Sequence, residues 1–282
     1  MPIKKALLWV GIWISAALIF NVGILFFLGQ KHALEFFGGY IIEQSLSIDN
    51  LFLFILIFSS FGITGALQRK ILNWGIIGAI VLRFVFIIVG VAAVNAFHWI
   101  LYIFGIVLIF SGIKMAFEKE GKKDINDSKI IQMFRKTGRM TQSLEGSKFF
   151  VKREGKTFVT PLLAILVLIE LTDIIFAIDS IPAIFSITTD AFIVFSSNLF
   201  AIMGLRSMYF VLHKLHQKFE YVKYGVSLIL MFTGVKLGIL FFHIEISTEV
   251  SLGVIFAILF TSIFFSFTVA KNKEKKRKLE EK

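Results

Sequence analysis

Five carboxylates lie inside long apolar runs of this sequence: Glu43, Asp49, Glu170, Asp173 and Asp179. Four bases do the same: Arg83, Lys114, Arg206 and Lys236. An acid or base at the centre of a membrane helix costs about 2.5–3.5 kcal/mol on insertion scales, so such residues are rare there and mark ion or proton pathways. Five acids and four bases cannot close into simple pairs. Fully ionised, the set carries one net negative charge before any guest cation enters. Carboxylate oxygens, joined by the amide of Asn50 and the hydroxyl of Ser180, suit a hard divalent cation: Mg²⁺, Ca²⁺ or Mn²⁺. The chain has no Cys and five scattered His, which excludes thiolate sites and gives no histidine metal motif. The four bases are then expected as counter-ions, Arg83 and Arg206 standing in for the cation in the empty state and swinging away when it binds. Buried ion pairs kept for packing alone are the competing account, weakened because desolvation offsets their attraction. A proton relay along the same carboxylates stays open.

The spacing of these residues repeats. Glu43-QSLSI-Asp49-Asn50 is matched by Asp173-IIFAI-Asp179-Ser180. AIVLRF around Arg83 is matched by AIMGLR around Arg206, and FSGIK ending at Lys114 by FTGVK ending at Lys236. Three matches in one order predict two units of three helices. Because three is odd, the second unit enters the membrane from the other side, and inverted repeats of this kind place a substrate near the bilayer midplane. On a regular helix, residues seven apart share a stripe, so Glu43 faces with Asn50, and Asp173 with Ser180. Asp49 and Asp179 fall about a third of a turn off that stripe. Pro182, close behind Asp179, predicts a broken helix whose freed carbonyls could join the ion site.

The elements that must position these side chains follow from composition. Of 282 residues, 57% are hydrophobic and 17% charged, with 34 Phe, and the mean hydropathy is +0.83. A soluble domain is nearer 45–50% apolar and 25% charged. A soluble enzyme, a disordered chain and a nucleic-acid-binding domain are therefore excluded. A span needs about 20 apolar residues, and eight segments qualify: 6–28, 34–60, 72–95, 97–117, 160–184, 190–212, 223–243 and 250–270. The expected fold is all-α, a polytopic membrane protein forming one membrane domain over 1–282. Within it, repeat one covers 34–117 and repeat two 160–243. Helices 6–28 and 250–270 lie at the periphery.

With eight spans, 25 of the 30 bases fall on connections of one side and Lys31 alone on the other. Basic residues gather on cytoplasmic loops, so both termini are expected in the cytoplasm and the protein in the inner (plasma) membrane. The net charge of +11 then records topology rather than a polyanion partner. The loop 118–158 is read as a solvated cytoplasmic segment, amphipathic or partly disordered. The basic tail 271–282 can attract anionic lipid. Asp190, after Thr188 and Thr189, is read as a helix N-cap. No hydrolase triad, phosphate loop or nucleophile–base pair is present, so no enzyme and no prosthetic group are expected.

Three stretches carry a resemblance: EQSLSIDNLFLF at 43–54, TPLLAILVLIELTDIIFAIDSIPAIFSIT at 160–188 and FIVFSSNLFAIMGLRSMYF at 192–210. They resemble the TerC family, named for tellurium resistance and grouped with the LysE-type exporters, over about residues 34–245. The family's acidic positions match Glu43, Asp49, Asn50, Glu170, Asp173 and Asp179. The resemblance implies Mn²⁺ efflux, linked to metal homeostasis or to metal supply for secreted proteins. The expected function is export of divalent cations, Mn²⁺ first, by alternating access, with proton counter-transport as a coupling route. The metal is cargo; lipid and a secretion machinery are the other expected partners, and nucleic acid is not. A non-transporting scaffold for a tellurite-resistance or secretion complex, docking through 118–158, is the alternative. Export of an organic solute would need a roomier, less acidic site.

Overall fold

A computed structural model describes residues 2–117, 132–133, 140–141, 143–153, 155–215 and 222–280. The side chains at 49, 52, 60, 215 and 270–280 are outside that description. Eight long helices follow the apolar segments: α1 Ile3–Leu28, α2 Gln30–Ser60, α3 Ala66–Ala96, α4 Ile100–Phe117, α5 Pro161–Phe185, α6 Ala191–Leu215, α7 Val222–Ile239 and α8 Thr248–Glu280. All eight are long and apolar enough to cross a membrane.

Their ends obey local chemistry. Pro161 opens α5 at a first-turn position where its missing N–H is no loss. Asp190 caps α6, accepting a hydrogen bond from the Ile193 N–H at 3.0 Å, as its sequence predicts. Between α1 and α2 the chain reverses at Gly29, whose φ of 91° suits glycine alone. The last helix continues to Glu280, past the expected end at 270, because the Lys- and Glu-rich tail is made of good helix formers.

α2 and α6 are the most enclosed helices, and they pack on each other. α3 leans on α5 and α6, while α4 pairs with α7. α1 packs on α6 and α2, and α8 on α7. Their outward faces carry large apolar side chains, with Phe26 80% and Phe27 89% exposed. In water such a surface would drive aggregation; against lipid tails it costs nothing.

Without a hydrophobic force between helices in lipid, close packing has to come from small residues. At the α4–α7 crossing, a methyl group built on Gly234 would lie 2.6 Å from the Gly105 carbonyl oxygen, and one on Gly105 2.8 Å from that of Gly234. A methyl on Gly112 would meet the Ser227 carbonyl at 2.7 Å. The two backbones are in direct contact there.

Two expectations change. The segment 118–158, expected as solvated and amphipathic or partly disordered, includes among its described residues most of an antiparallel hairpin, β1 Phe150–Arg153 with β2 Lys156–Val159, around Gly155. β-branched and aromatic residues (Val151, Thr157, Phe158 and Val159) on either side of Gly155 favour a strand pair with a tight turn. Phe149 anchors it, ringed by Trp74 and Lys70 of α3. Much of the rest of that segment, from 118 to 131 and 134 to 139, lies outside the described residues. Second, α5 is not broken beyond Asp179. It runs through Pro182 to Phe185: in the last turn the proline removes one N–H bond, and the buried Ile181, Ala183, Ile184 and Phe185 hold the helix end in place.

Candidate functional site

Arg83 is the centre of the site. Its side chain is 1% exposed, in the middle of α3, and it collects acceptors from three other helices. Nε and Nη2 donate to the two oxygens of Asp173 on α5 at 3.3 and 3.2 Å, a bidentate grip. Nη1 donates to Glu43 on α2 and, at 2.7 Å, to the amide oxygen of Asn198 on α6. The Ser180 hydroxyl stands 3.4 Å from the same nitrogen. Nη1 has two hydrogens, so Glu43 and Asn198 take them and Ser180 is at the edge of the shell. Ser47 adds a hydrogen bond to Glu43 at 3.2 Å.

Local structure sets these positions. Asp173 and Ser180, seven apart on a continuous α5, both face Arg83, as the helical stripe predicts. Glu43 lies one turn beyond Gly39, where α2 and α6 come so close that a methyl on Gly39 would sit 2.7 Å from the Ser197 hydroxyl. That approach brings Asn198 within reach of the cluster.

Two carboxylates and one guanidinium leave one net negative charge if all are ionised. Among the described residues Glu43 Oε2 and the Asn50 amide nitrogen are buried with no partner. One turn back on α5, Glu170 also has an unpartnered oxygen, Oε2. Its carboxylate lies over Gly78 of α3, in the space a side chain there would fill. Glu170, Asp173 and Arg206 line a cleft of about 20 Å³ with Leu72, Gly75 and Ile76. A water needs roughly 10–15 Å³, so the cleft takes one water-sized guest and no organic solute. Alanine at Gly78 is expected to leave the fold intact, since a flexible carboxylate can move aside, while driving Glu170 out of the cleft. Its check is melting temperature beside carbodiimide modification of Glu170: an unchanged melt with faster modification is the expected pair.

The structure therefore gathers Glu43, Asp173, Ser180 and Arg83, places Asn50 among the buried residues of the same helix as Glu43, and sets Glu170 beside Asp173. The remaining expected site residues are elsewhere. Asp179 turns to α4, accepting a hydrogen bond from Ser111 at 2.7 Å, because a regular helix rotates it away from Asp173. Lys114 is exposed. Arg206 donates to Asn73 of α3 at 2.6 Å, and Lys236 to Ser251 of α8 at 2.7 Å. Three of the four bases are thus not counter-ions of the central cluster in this state. The Asp49 side chain lies outside the described residues. Among the described residues no three acids or histidines converge as a ready metal shell; the guanidinium fills the middle instead.

Asn198 and Asn73 were not expected. Asn198 had a signal in the sequence: the polar run Ser196-Ser197-Asn198 inside an apolar span, where an amide is costly unless bonded.

Eight apolar helices around a buried charged cluster define a polytopic integral membrane protein. The sequence profile of the integral membrane protein TerC family matches residues 28–275, and the chain belongs to that family. It is 44% identical over 286 residues to Alx of Escherichia coli (strain K12), named a proposed membrane-bound redox modulator, covering 98% of this chain and 88% of that one. A Myxococcus xanthus protein, named only as an uncharacterized membrane protein, is 43% identical over 95% of this chain and 84% of its own. The thylakoid membrane protein TERC of Arabidopsis thaliana is 42% identical over 94% of this chain and 69% of its own. No solved structure matches.

Proposed function

We propose that this protein is a transporter, not an enzyme, which exports hard divalent cations, Mn²⁺ first, from the cytoplasm. The observation that carries the reading is the pair Glu43 and Asp173, held by one buried cation that belongs to the protein itself. A site built for a mobile cation needs a substitute charge when empty, since unpaired buried carboxylates are costly. Arg83 supplies it on a side chain long enough to withdraw. Oxygen donors without sulfur favour Mn²⁺ or Mg²⁺ over Cu⁺, and the small cleft beside Glu170 favours an ion over an amino acid. The excess of basic residues on one side supports cytoplasmic termini and a location in the inner membrane. The antiparallel packing of α3 on α6 supports the two inverted units.

The redox modulation in the name of Alx has no thiol counterpart in this chain, which has no Cys. Control of a metal level would reach redox balance without one.

The test is cellular metal content, in cells lacking the protein and in cells carrying wild type, Asp173→Asn or Glu43→Gln. Manganese should accumulate severalfold in the null and in both variants under manganese load, with wild type restoring the level. Equal manganese content in all four strains would sink the proposal.

A further inference from the structure

The two intramembrane arginines hold crossed clasps. Arg83 of α3 reaches Asn198 of α6, and Arg206 of α6 reaches Asn73 of α3. The helices run antiparallel, and at 1.5 Å per residue the two clasps are about 12–15 Å apart along them. Arg83 and Arg206 are equivalent positions of the sequence repeat, and so are Glu43 and Asp173. Exchanging the two units therefore maps the acid pair onto itself, but puts Arg206 where Arg83 stands. Arg206 already lines the cleft that ends at Asp173.

The two ends of the bundle are not equivalent in this state. Ile169 borders the cleft, where a methyl on Gly75 would find nothing nearer than 3.7 Å. Its repeat counterpart, Gly39, is shut against Ser197 and Ile184, with a methyl there 2.7 and 3.3 Å from their atoms. One end holds a small cleft beside a withdrawn arginine; the other is packed tight beside an inserted one.

Resting on the transport reading, we propose that Arg83 and Arg206 alternate as occupants of the same carboxylate pair. Arg83 sits between Glu43 and Asp173 when the cleft opens at the α2–α3 turn. Arg206 leaves Asn73 and takes that place when the opposite end opens. Each arginine is a positioning residue that holds the acids in one access state, and cargo binds between the two exchanges. Among the described residues Glu43 Oε2 is a buried acceptor without a partner, left for the donors of the second occupant.

The absence of Cys makes single-cysteine labelling direct. Ile76→Cys reports the open cleft, and Leu199→Cys, its repeat counterpart on α6, reports the opposite end. A membrane-impermeant maleimide is applied to right-side-out and inverted vesicles. Arg83→Gln should slow labelling at Ile76→Cys and speed it at Leu199→Cys. Arg206→Gln should do the reverse, each shifting the ratio of rates by about tenfold or more, as expected for losing a buried counter-charge in one state only. Should Arg83→Gln fail to insert, Arg83→Lys, which keeps the charge and loses the bidentate grip, should shift the ratio the same way by less. Shifts of the same sign from both arginines, or an Arg206→Gln ratio equal to wild type, would overturn the exchange. Labelling needs no cargo, so a failed manganese test leaves this outcome intact, and manganese export with unmoved ratios removes the exchange alone.

Discussion

Replacing Arg83 by methionine is expected to destabilise the protein by about 3–5 kcal/mol, the cost of leaving buried charges without their partner. Glu43 is 0% exposed and Asp173 4%, so water cannot take over from the guanidinium. Asn198 would also lose the donor to its amide oxygen. Loss of the arginine should be partly repaired by Glu43→Gln and Asp173→Asn together, since the cost lies in uncompensated charge and not in lost volume. The cycle of variants isolates that coupling. Without the guanidinium the pair should also become a better site for the proposed cargo. Added Mn²⁺ should raise the melting temperature of the Arg83→Met protein more than that of wild type, by the ordinary linkage of ligand to stability. Unfolding in detergent micelles, with and without Mn²⁺, reads both effects. A variant within 1 kcal/mol of wild type would mean that the cluster is not the charged network the geometry describes.

The second large effect concerns the α4–α7 crossing. Gly234→Val should be among the most damaging substitutions away from the charged cluster. Its Cβ would stand 2.6 Å from the Gly105 carbonyl oxygen and 2.8 Å from the Ile109 side chain. A backbone oxygen cannot step aside as a side-chain tip can, so the helices must separate and lose contact along their whole seam. Overpacking of a core costs typically 1–3 kcal/mol, and valine's branched carbon on a backbone contact should reach or exceed the top of that range. Gly238→Ala is the internal control. A methyl there meets nothing within 4 Å, so the gain in helix propensity, about 0.5–1 kcal/mol, should appear as a slight rise in melting temperature. If the two substitutions behave alike, the α4–α7 contact is not what sets the bundle's spacing.

Much of this molecule was legible in its sequence because lipid imposes simple rules. A segment that crosses a bilayer must satisfy its own backbone, so apolar length alone finds helices. All eight expected spans appear, most ends within a few residues, while the last helix runs well past 270 to Glu280. Asp190 announced the start of α6 by its side-chain chemistry. The seven-residue stripe correctly put Asp173 and Ser180 on one face. The hairpin at 150–159 was missed because a short strand pair gives a weak signal inside a long basic segment, and because what anchors it, Lys70 and Trp74, lies some 75 residues earlier.

The sequence by itself picked out most of the residues that carry charge into the apolar interior, Glu43, Arg83 and Asp173 among them, and the order in which their types recur. Solvation makes such residues conspicuous without any knowledge of shape. Only the tertiary structure decided how they associate. Distances between helices decided it: the close approach of α2 to α6 at Gly39 and Ser197 put Asn198 beside Glu43, and the unbroken course of α5 sent Asp179 to Ser111 rather than to the cluster. A pattern along the chain fixes the direction each side chain takes from its own helix. Which partner it meets depends on how closely and at what angle the next helix packs, and that is settled by the glycines and serines where the backbones touch.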